Sequence, residues 1–310
     1  MGRPPAMKSY LTLVLLIVVL FTGCATGGPT VTGVGVGEWE LMWSDEFDYQ
    51  GLPDRTKWGY EEGFVRNSES QYYTRARQEN ARVEDGMLII ECRKEHFKPE
   101  NHDAVEYTAA SLITRDKASW QYGRIEVRAK LPEGKGVWPA IWTLGTNISQ
   151  VGWPACGEID IMEFLGREPN NIYGTLHYAV DGEHRSDGRK LETYKPYDDF
   201  HIYAIEWHPD LIDFFFDSKK YHTVLLDKAG KGEDNPFRKP HYLLINFALG
   251  GEWGGPFDDA ILPQKYLIDY VRIYRQKAPN KALPRTKRAA ELCRYALFPI
   301  IVSPQDYSRK

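Results

Sequence analysis

The segment Gly157-Glu158-Ile159-Asp160-Ile161-Met162-Glu163-Phe164 sets three carboxylates among Ile, Ile, Met and Phe. Its density of apolar and β-branched residues reads as a buried strand. Side chains alternate faces along a strand, so Glu158 and Asp160 point the same way. Strict alternation would continue that face at position 162, which is Met, while the third acid stands at 163. One extra residue is the mark of a β-bulge, which shifts the register and returns Glu163 to the acidic face. Ile159, Ile161 and Met162 then turn to the core. Carboxylates crowded on one face in a partly apolar setting repel one another, so one of them holds a proton near neutral pH. A proton donor beside an ionised carboxylate is the pairing that glycosidic bond cleavage requires.

On its own, an E-x-D pattern marks the wet face of an amphipathic strand. The surroundings argue for more. Trp138-Pro139-Ala140-Ile141-Trp142 lies just upstream, and Trp153 and His177 flank the acids. Aromatic side chains beside clustered acids suit a carbohydrate cleft.

Working outward, the chain has 310 residues and a formal net charge of −4, with no basic stripe. That balance argues against a nucleic-acid partner. Met1 to Gly23 reads as a lipoprotein-type signal peptide: Arg3 and Lys8 precede the apolar run Tyr10 to Phe21, which is short for a membrane span. Leu20-Phe21-Thr22-Gly23-Cys24-Ala25 resembles a bacterial lipoprotein signal in which Cys24 becomes the lipidated first residue. A cleaved secretory signal with an incidental cysteine is the other reading. Either exports the protein, anchored by lipid at the bacterial cell envelope in the first case and secreted in the second. Residues 24–37, rich in Gly, Thr and Val, form a tether. No composition break or repeat interrupts residues 38–276, which read as a single catalytic domain. Residues 277–310 are a basic extension of unassigned role. With Cys24 set aside, Cys92, Cys156 and Cys293 are an odd number, so disulfides look optional; close Cys/His spacing for zinc is missing.

Within the domain the pattern is strand-like. Met87 to Arg93, Gly123 to Leu131, Ile172 to Val180 and Phe200 to Trp207 carry apolar residues at period two or in short runs. His208-Pro209-Asp210 turns the chain into Leu211 to Phe216 as a hairpin, and Tyr242 to Leu249 and Tyr266 to Arg275 complete the set. Many short strands punctuated by turns predict an all-β antiparallel sandwich of two sheets, whose curvature would make a groove for a polymer.

The chain resembles glycoside hydrolase family 16, and within it the laminarinase-like bacterial endo-β-1,3-glucanases. The resemblance rests on Glu158-Ile-Asp160-Ile-Met-Glu163 with Trp43-Ser-Asp-Glu46-Phe, Gln71-Tyr-Tyr-Thr74 and Tyr122-Gly-Arg-Ile-Glu-Val-Arg128. Trp138-Pro-Ala-Ile-Trp142, Gly152-Trp-Pro-Ala-Cys-Gly157, Gly174-Thr-Leu-His177 and Ala204-Ile-Glu-Trp207 extend it. Asn246-Phe-Ala-Leu-Gly-Gly251 and Asp269-Tyr-Val-Arg-Ile-Tyr274 close it, so it spans Trp39 to Gln276. It implies a concanavalin A-like β-jelly-roll sandwich and a retaining reaction on internal β-linkages.

Carried over residue by residue, Glu158 would be the nucleophile and Glu163 the acid that protonates the leaving oxygen and then activates water. Asp160 would hydrogen-bond the nucleophile and tune both. Positions effectively four apart on a strand have Cα atoms about 13 Å apart. Inclined Glu side chains can shorten that toward the ~5.5 Å of retaining enzymes. Sugar contacts are expected from Trp153 and Trp142 and, on even terms with core packing, Trp138. Asn67, Glu69 and Gln71 occupy the place where relatives show N-N-E-x-Q, although Ser68 replaces the second Asn. His177, Asn246, Glu252 and Trp253 are expected along the cleft, Glu252 reading equally as an exposed loop acid. A structural Ca²⁺ is implied at Glu46, the Gly86 carbonyl and Asp269, all hard oxygen donors; no cofactor is expected for catalysis. The expected partner is a β-glucan met by a monomer. A galactan such as agar, porphyran or carrageenan, or a sugar-binding sandwich without catalysis, stands behind it.

Overall fold

The computed structural model describes residues 39–277. The expected signal segment, Cys24, the tether and all but the first residue of the C-terminal extension lie outside the described residues. Among those described, the strands in chain order begin with β1 (Trp39–Asp45), β2 (Gly59–Tyr60), β3 (Tyr72–Tyr73), β4 (Ala81–Glu84), β5 (Met87–Phe97) and β6 (Val105–Ala109). Next come β7 (Ser111–Ile113), β8 (Gly123–Lys130), β9 (Val137–Gly145), β10 (Glu158–Phe164), β11 (Asn171–Val180) and β12 (Glu183–Glu192). The last are β13 (His201–Trp207), β14 (Leu211–Phe216), β15 (Lys219–Leu225), β16 (His241–Leu249) and β17 (Gln264–Gln276).

Two sheets result. The larger runs β15-β14-β13-β8-β17-β5-β6-β3, with β1 on β17 and β4 on β5; the smaller runs β12-β11-β10-β9-β16-β7-β2. Pairing is antiparallel throughout except between β3 and β6. The facing sides carry one continuous apolar layer. Ile159, Ile161, Met162 and Phe164 of β10 meet Ile125, Val127, Ile205, Phe214 and Val271 of the larger sheet within it. Burying each such side chain contributes roughly 1.5–3 kcal/mol, which lets β10 hold carboxylates on its other side.

The acid strand is an interior strand of the smaller sheet, between β11 and the central β9, and its expected bulge is present. Asp160 lies opposite Trp142 while Met162 lies opposite Ile141 and Glu163 opposite Ala140. Pairing with β11 shifts at the same place, between Asp160 and Glu163. Gly157 turns the chain into β10 at φ +78°, and a Cβ there would come within 2.7 Å of Pro236. Only glycine meets both demands without strain.

The strands read from the sequence occur where expected, including the β13–β14 hairpin. One long strand escapes that reading. Glu183–Glu192 is Glu-His-Arg-Ser-Asp-Gly-Arg-Lys-Leu-Glu, almost wholly exposed, with neither alternation nor β-branched residues. Main-chain pairing with β11 along its full ten residues makes it a strand. It is an edge strand dense in charge, the usual protection against edge-to-edge association. Cys92 and Cys156 are buried free thiols.

Candidate active site

Glu158, Asp160 and Glu163 share the outward face of β10. Asp160 and Glu163 are buried (3% and 9% exposed), and Glu158 is partly open. Each has a different first partner. Trp153 Nε1 donates to Glu158 Oε2 at 3.0 Å, and Trp138 Nε1 donates to Glu163 Oε1 at 3.1 Å. His177 Nε2 stands 3.3 Å from Asp160 Oδ2. That contact is not aligned as a hydrogen bond, and Asp160 Oδ2 is left without one. His177 reaches this place because β11 sets it directly opposite Glu158.

Burial is the chief cause of the titration of all three acids. Glu158 is pushed up to about 8 by desolvation and then by the charge of Asp160, with His177, Trp153 and Arg66 pulling back. Desolvation raises Asp160, opposed by its hydrogen bond with Glu158. Glu163 is raised well above the usual carboxylate range by desolvation and then by Asp160 and Glu158. Three such groups side by side cannot all be charged at neutral pH. The site therefore offers a proton donor and a carboxylate together.

Around the acids the expected sugar contacts fall into three groups. At the Glu163 end, Trp253 packs edge-on to Trp138 and Tyr173, with ring centroids 5.6 and 4.9 Å away. At the Glu158 end, Trp153 is half-exposed beside His177. To the side of Asp160 lies a buried polar chain in which every donor has its acceptor. Trp142 Nε1 donates to Asn246 (2.7 Å), Asn246 Nδ2 to the Tyr73 hydroxyl (2.9 Å), and Tyr73 to Glu69 (2.8 Å). Gln71 donates to Glu69 at 2.7 Å and accepts from the Leu249 N–H at 2.7 Å.

These placements correct part of the sequence reading. Trp142 is not an open platform. It is 6% exposed, and the Arg66 guanidinium lies 4.8 Å from its ring centroid. Trp138 is 8% exposed, so of its two readings packing prevails, with its N–H committed to Glu163. Glu69, Gln71 and Asn246 belong to an interior scaffold more than to an open surface, since buried polar groups must be paired. Asn67 is exposed at φ +55°, its carbonyl accepting from the Glu252 N–H. Glu252 itself is exposed, in line with its loop-acid reading.

Four residues were not singled out from the sequence. Arg66 is ion-paired with Glu61 and leaves Nη1 buried and unbonded near Trp142. Tyr73 links Asn246 to Glu69, and Tyr173 lies opposite Glu163. His184, on the unforeseen β12, contacts His177 and Trp153. The signal for Tyr73 is its place inside Gln71-Tyr-Tyr-Thr74, and that for Arg66 is only its place next to Asn67; His184 has none.

Sheet register brings the expected calcium ligands to one corner: Asp45 faces Val271 and Ile268 faces Leu88, so Glu46, Gly86 and Asp269 converge. Both carboxylates already have cations, however. Arg272 donates three hydrogen bonds to Glu46 and Arg128 one to Asp269, and Arg272 holds Glu46 below the usual carboxylate range. As placed, these acids do not form the free anionic donor set that calcium takes. Among the described residues, Glu158, Asp160 and His177 also offer ligand atoms within 4.8 Å of one another, as do Glu206, His208 and Asp213. In the second group Arg124 occupies Glu206, and Lys220 and Thr223 occupy Asp213.

Comparison with known proteins agrees with this arrangement. Residues 68–272 match glycosyl hydrolases family 16. The chain is 43% identical over 283 residues to a beta-glucanase of Rhodothermus marinus, covering 87% of this chain and 96% of that one. It is 37% identical over 252 residues to a glucan endo-1,3-beta-glucosidase of Cryptopygus antarcticus, covering 76% and 92%. The X-ray structure of the laminarinase from Rhodothermus marinus superposes with a TM-score of 0.70 at 46% identity, covering 77% of this chain and 98% of that one. A bulged acid strand inside a fully matched β-jelly-roll sandwich admits one assignment: the chain belongs to glycosyl hydrolase family 16 and is a glycoside hydrolase.

Proposed function

We propose that the protein is a retaining endo-β-1,3-glucanase, acting on laminarin or mixed-linkage β-1,3/1,4-glucan. The observation that carries the mechanism is the bulge at Ile161–Met162, which puts Glu163 on the same face as Glu158 with Asp160 between them. Glu163, strongly desolvated, keeps its proton and delivers it to the glycosidic oxygen as that bond breaks. Glu158, whose anion is favoured by the Trp153 N–H and Arg66, attacks the anomeric carbon and forms a glycosyl ester. Glu163, now a carboxylate, takes a proton from water; the resulting hydroxyl bonds to the anomeric carbon and releases Glu158. Two inversions at one carbon give net retention. The proton that Asp160 shares with Glu158 lets the nucleophile alternate between anion and ester without a bare charge beside it.

Sugar contact in this reading falls to the exposed face of Trp153, to Trp253 and to His177, with the Trp142–Asn246–Tyr73–Glu69 chain holding the floor. The relatives named above as a beta-glucanase and a glucan endo-1,3-beta-glucosidase support glucan over galactan. The test is product analysis on laminarin, barley glucan, agarose and carrageenan, with the anomer followed by NMR. Mid-length β-products from laminarin are expected. Cleavage of the galactans alone would replace the substrate and keep the mechanism, whereas silence on every polymer would leave a sugar-binding sandwich. We also propose export with Cys24 lipidated; Cys24→Ser should move the protein from the membrane fraction to the soluble fraction.

A further inference from the structure

We propose that His184 is a positioning residue for the Glu158 end of the site, acting through His177 and Trp153. The inference rests on the retaining-glucanase reading above and adds a residue to it. His184 touches the first partners of two acids at once. Its Nε2 lies 2.9 Å from His177 Nδ1, the two rings nearly parallel with centroids 5.1 Å apart. Its ring centroid is also 4.9 Å from that of Trp153. Trp153 donates to Glu158, and His177 Nε2 faces Asp160 Oδ2.

Proton counting gives the contact its meaning. Two neutral imidazoles joined nitrogen to nitrogen share a single proton, so one donates and the other accepts. Asp160 Oδ2 is buried and lacks a donor, and a small turn of the His177 ring supplies one from Nε2–H. His177 Nδ1 must then accept, so His184 Nε2–H donates to it. His184 thereby sets the tautomer of His177 and occupies Nδ1 with its own N–H. The charges facing the pair are Glu158, Asp160 and Glu163 from β10, Arg185 beside His184 on β12, and Arg66 across the face. Burial, His177 and Arg185 all lower the titration of His184, which keeps the donor neutral.

Without the His184 N–H, His177 takes a proton from solvent and becomes a cation beside the acids. A cation there favours carboxylate over carboxyl, so the general acid loses its proton at lower pH. His184→Phe keeps the ring contact with Trp153 and removes the N–H; His184→Gln returns an N–H near the Nε2 position. His184 is exposed, so both variants should melt close to the native temperature. On laminarin, H184F is expected to lower kcat about tenfold with KM within about twofold, and to move the basic limb of kcat down by about half a pH unit or more. H184Q should recover most of both. A kcat–pH profile of H184F that superposes on the native one overturns the proposal, as does an H184Q as impaired as H184F. Imidazole ¹⁵N NMR gives a readout free of substrate: His177 should hold its proton on Nε2 in the native protein and lose that tautomer preference in H184F. Unchanged His177 signals overturn the proposal even if no glucan is cleaved, while native inactivity on all glucans overturns only the substrate reading.

Discussion

The same residue types behave in opposite ways on the two outer faces of the sandwich. On the smaller sheet, Glu158, Asp160 and Glu163 meet indole N–H groups, one histidine and each other, and burial raises all three. On the larger sheet, Glu46 is forked by Arg272, Asp269 is paired with Arg128, and Glu126 accepts from Arg124 at 2.7 Å and from the Tyr270 hydroxyl at 2.8 Å. There the Arg272 hydrogen bond outweighs desolvation, and Glu46 is lowered. An acid on a strand is thus a structural anion or a proton store according to whether a guanidinium stands beside it. The smaller sheet withholds that partner from its central acids: Arg66, the nearest, is committed to Glu61.

The comparison breaks most visibly by removing an acid. Glu158→Gln should abolish hydrolysis of laminarin to background. Glu163→Gln should cost about 10²–10⁴-fold in kcat/KM on the polysaccharide and far less on an aryl glycoside whose leaving group needs no proton. Equal losses on both substrates would remove Glu163 from the acid role. In the native enzyme, activity should fall on the acid side as Glu158 becomes protonated and on the basic side as Glu163 loses its proton. The raised titration of both places that window toward neutral and mildly alkaline pH, read as properties of the coupled acids and not of one residue.

Stability against pH gives a second, smaller contrast. The raised acids bind protons more tightly folded than unfolded. Their contribution is therefore complete below the usual carboxylate range and is lost as pH rises through about 8. His241, buried and lowered to about 4, opposes that slope only below its usual value of 6.5. Between pH 6.5 and 9 the melting temperature should fall, by roughly 2–4 °C for each kcal/mol lost, and Glu163→Gln should flatten the fall. Glu46 has the reverse sign: its contribution is present above the usual carboxylate range and is lost as pH falls through its lowered value. Because the pair is about one-third exposed, Glu46→Gln should cost no more than about 1 kcal/mol at pH 7, measured by denaturant melts.

The smallest effect expected is that of calcium. With Arg272 and Arg128 holding the carboxylates, added calcium or a chelator should shift the melt by no more than about 2 °C, on the order of 1 kcal/mol or less. A large shift would show that the ion displaces both arginines, and that this corner resembles the acid-rich face more than the present pairing suggests.

How far the site was legible depended on what each residue had to satisfy. The bulge at Ile161–Met162 could be read because the period-two pattern breaks by one residue between Asp160 and Glu163, and only a register shift restores it. His177 and Trp153 could be named from their motifs. The orientation of Trp142 could not, because an indole serves a surface or a core equally well. Its burial follows from Arg66 above it and Asn246 beside it, contributed by segments distant in the chain. His184 lay deeper still, on a strand whose ten residues carry no strand signal and exist as one only because β11 offers its main chain.

The sequence alone determined the sandwich, the acid strand with its bulge, and the identity of the three carboxylates, since these follow from periodicity and residue type within a few neighbouring positions. Only the tertiary structure decided which acids have cations, which tryptophans are open, and how His184 joins Trp153 and His177. Those outcomes depend on charge and hydrogen-bond partners supplied across strands, and electrostatic interactions act over distances in space that order along the chain does not encode.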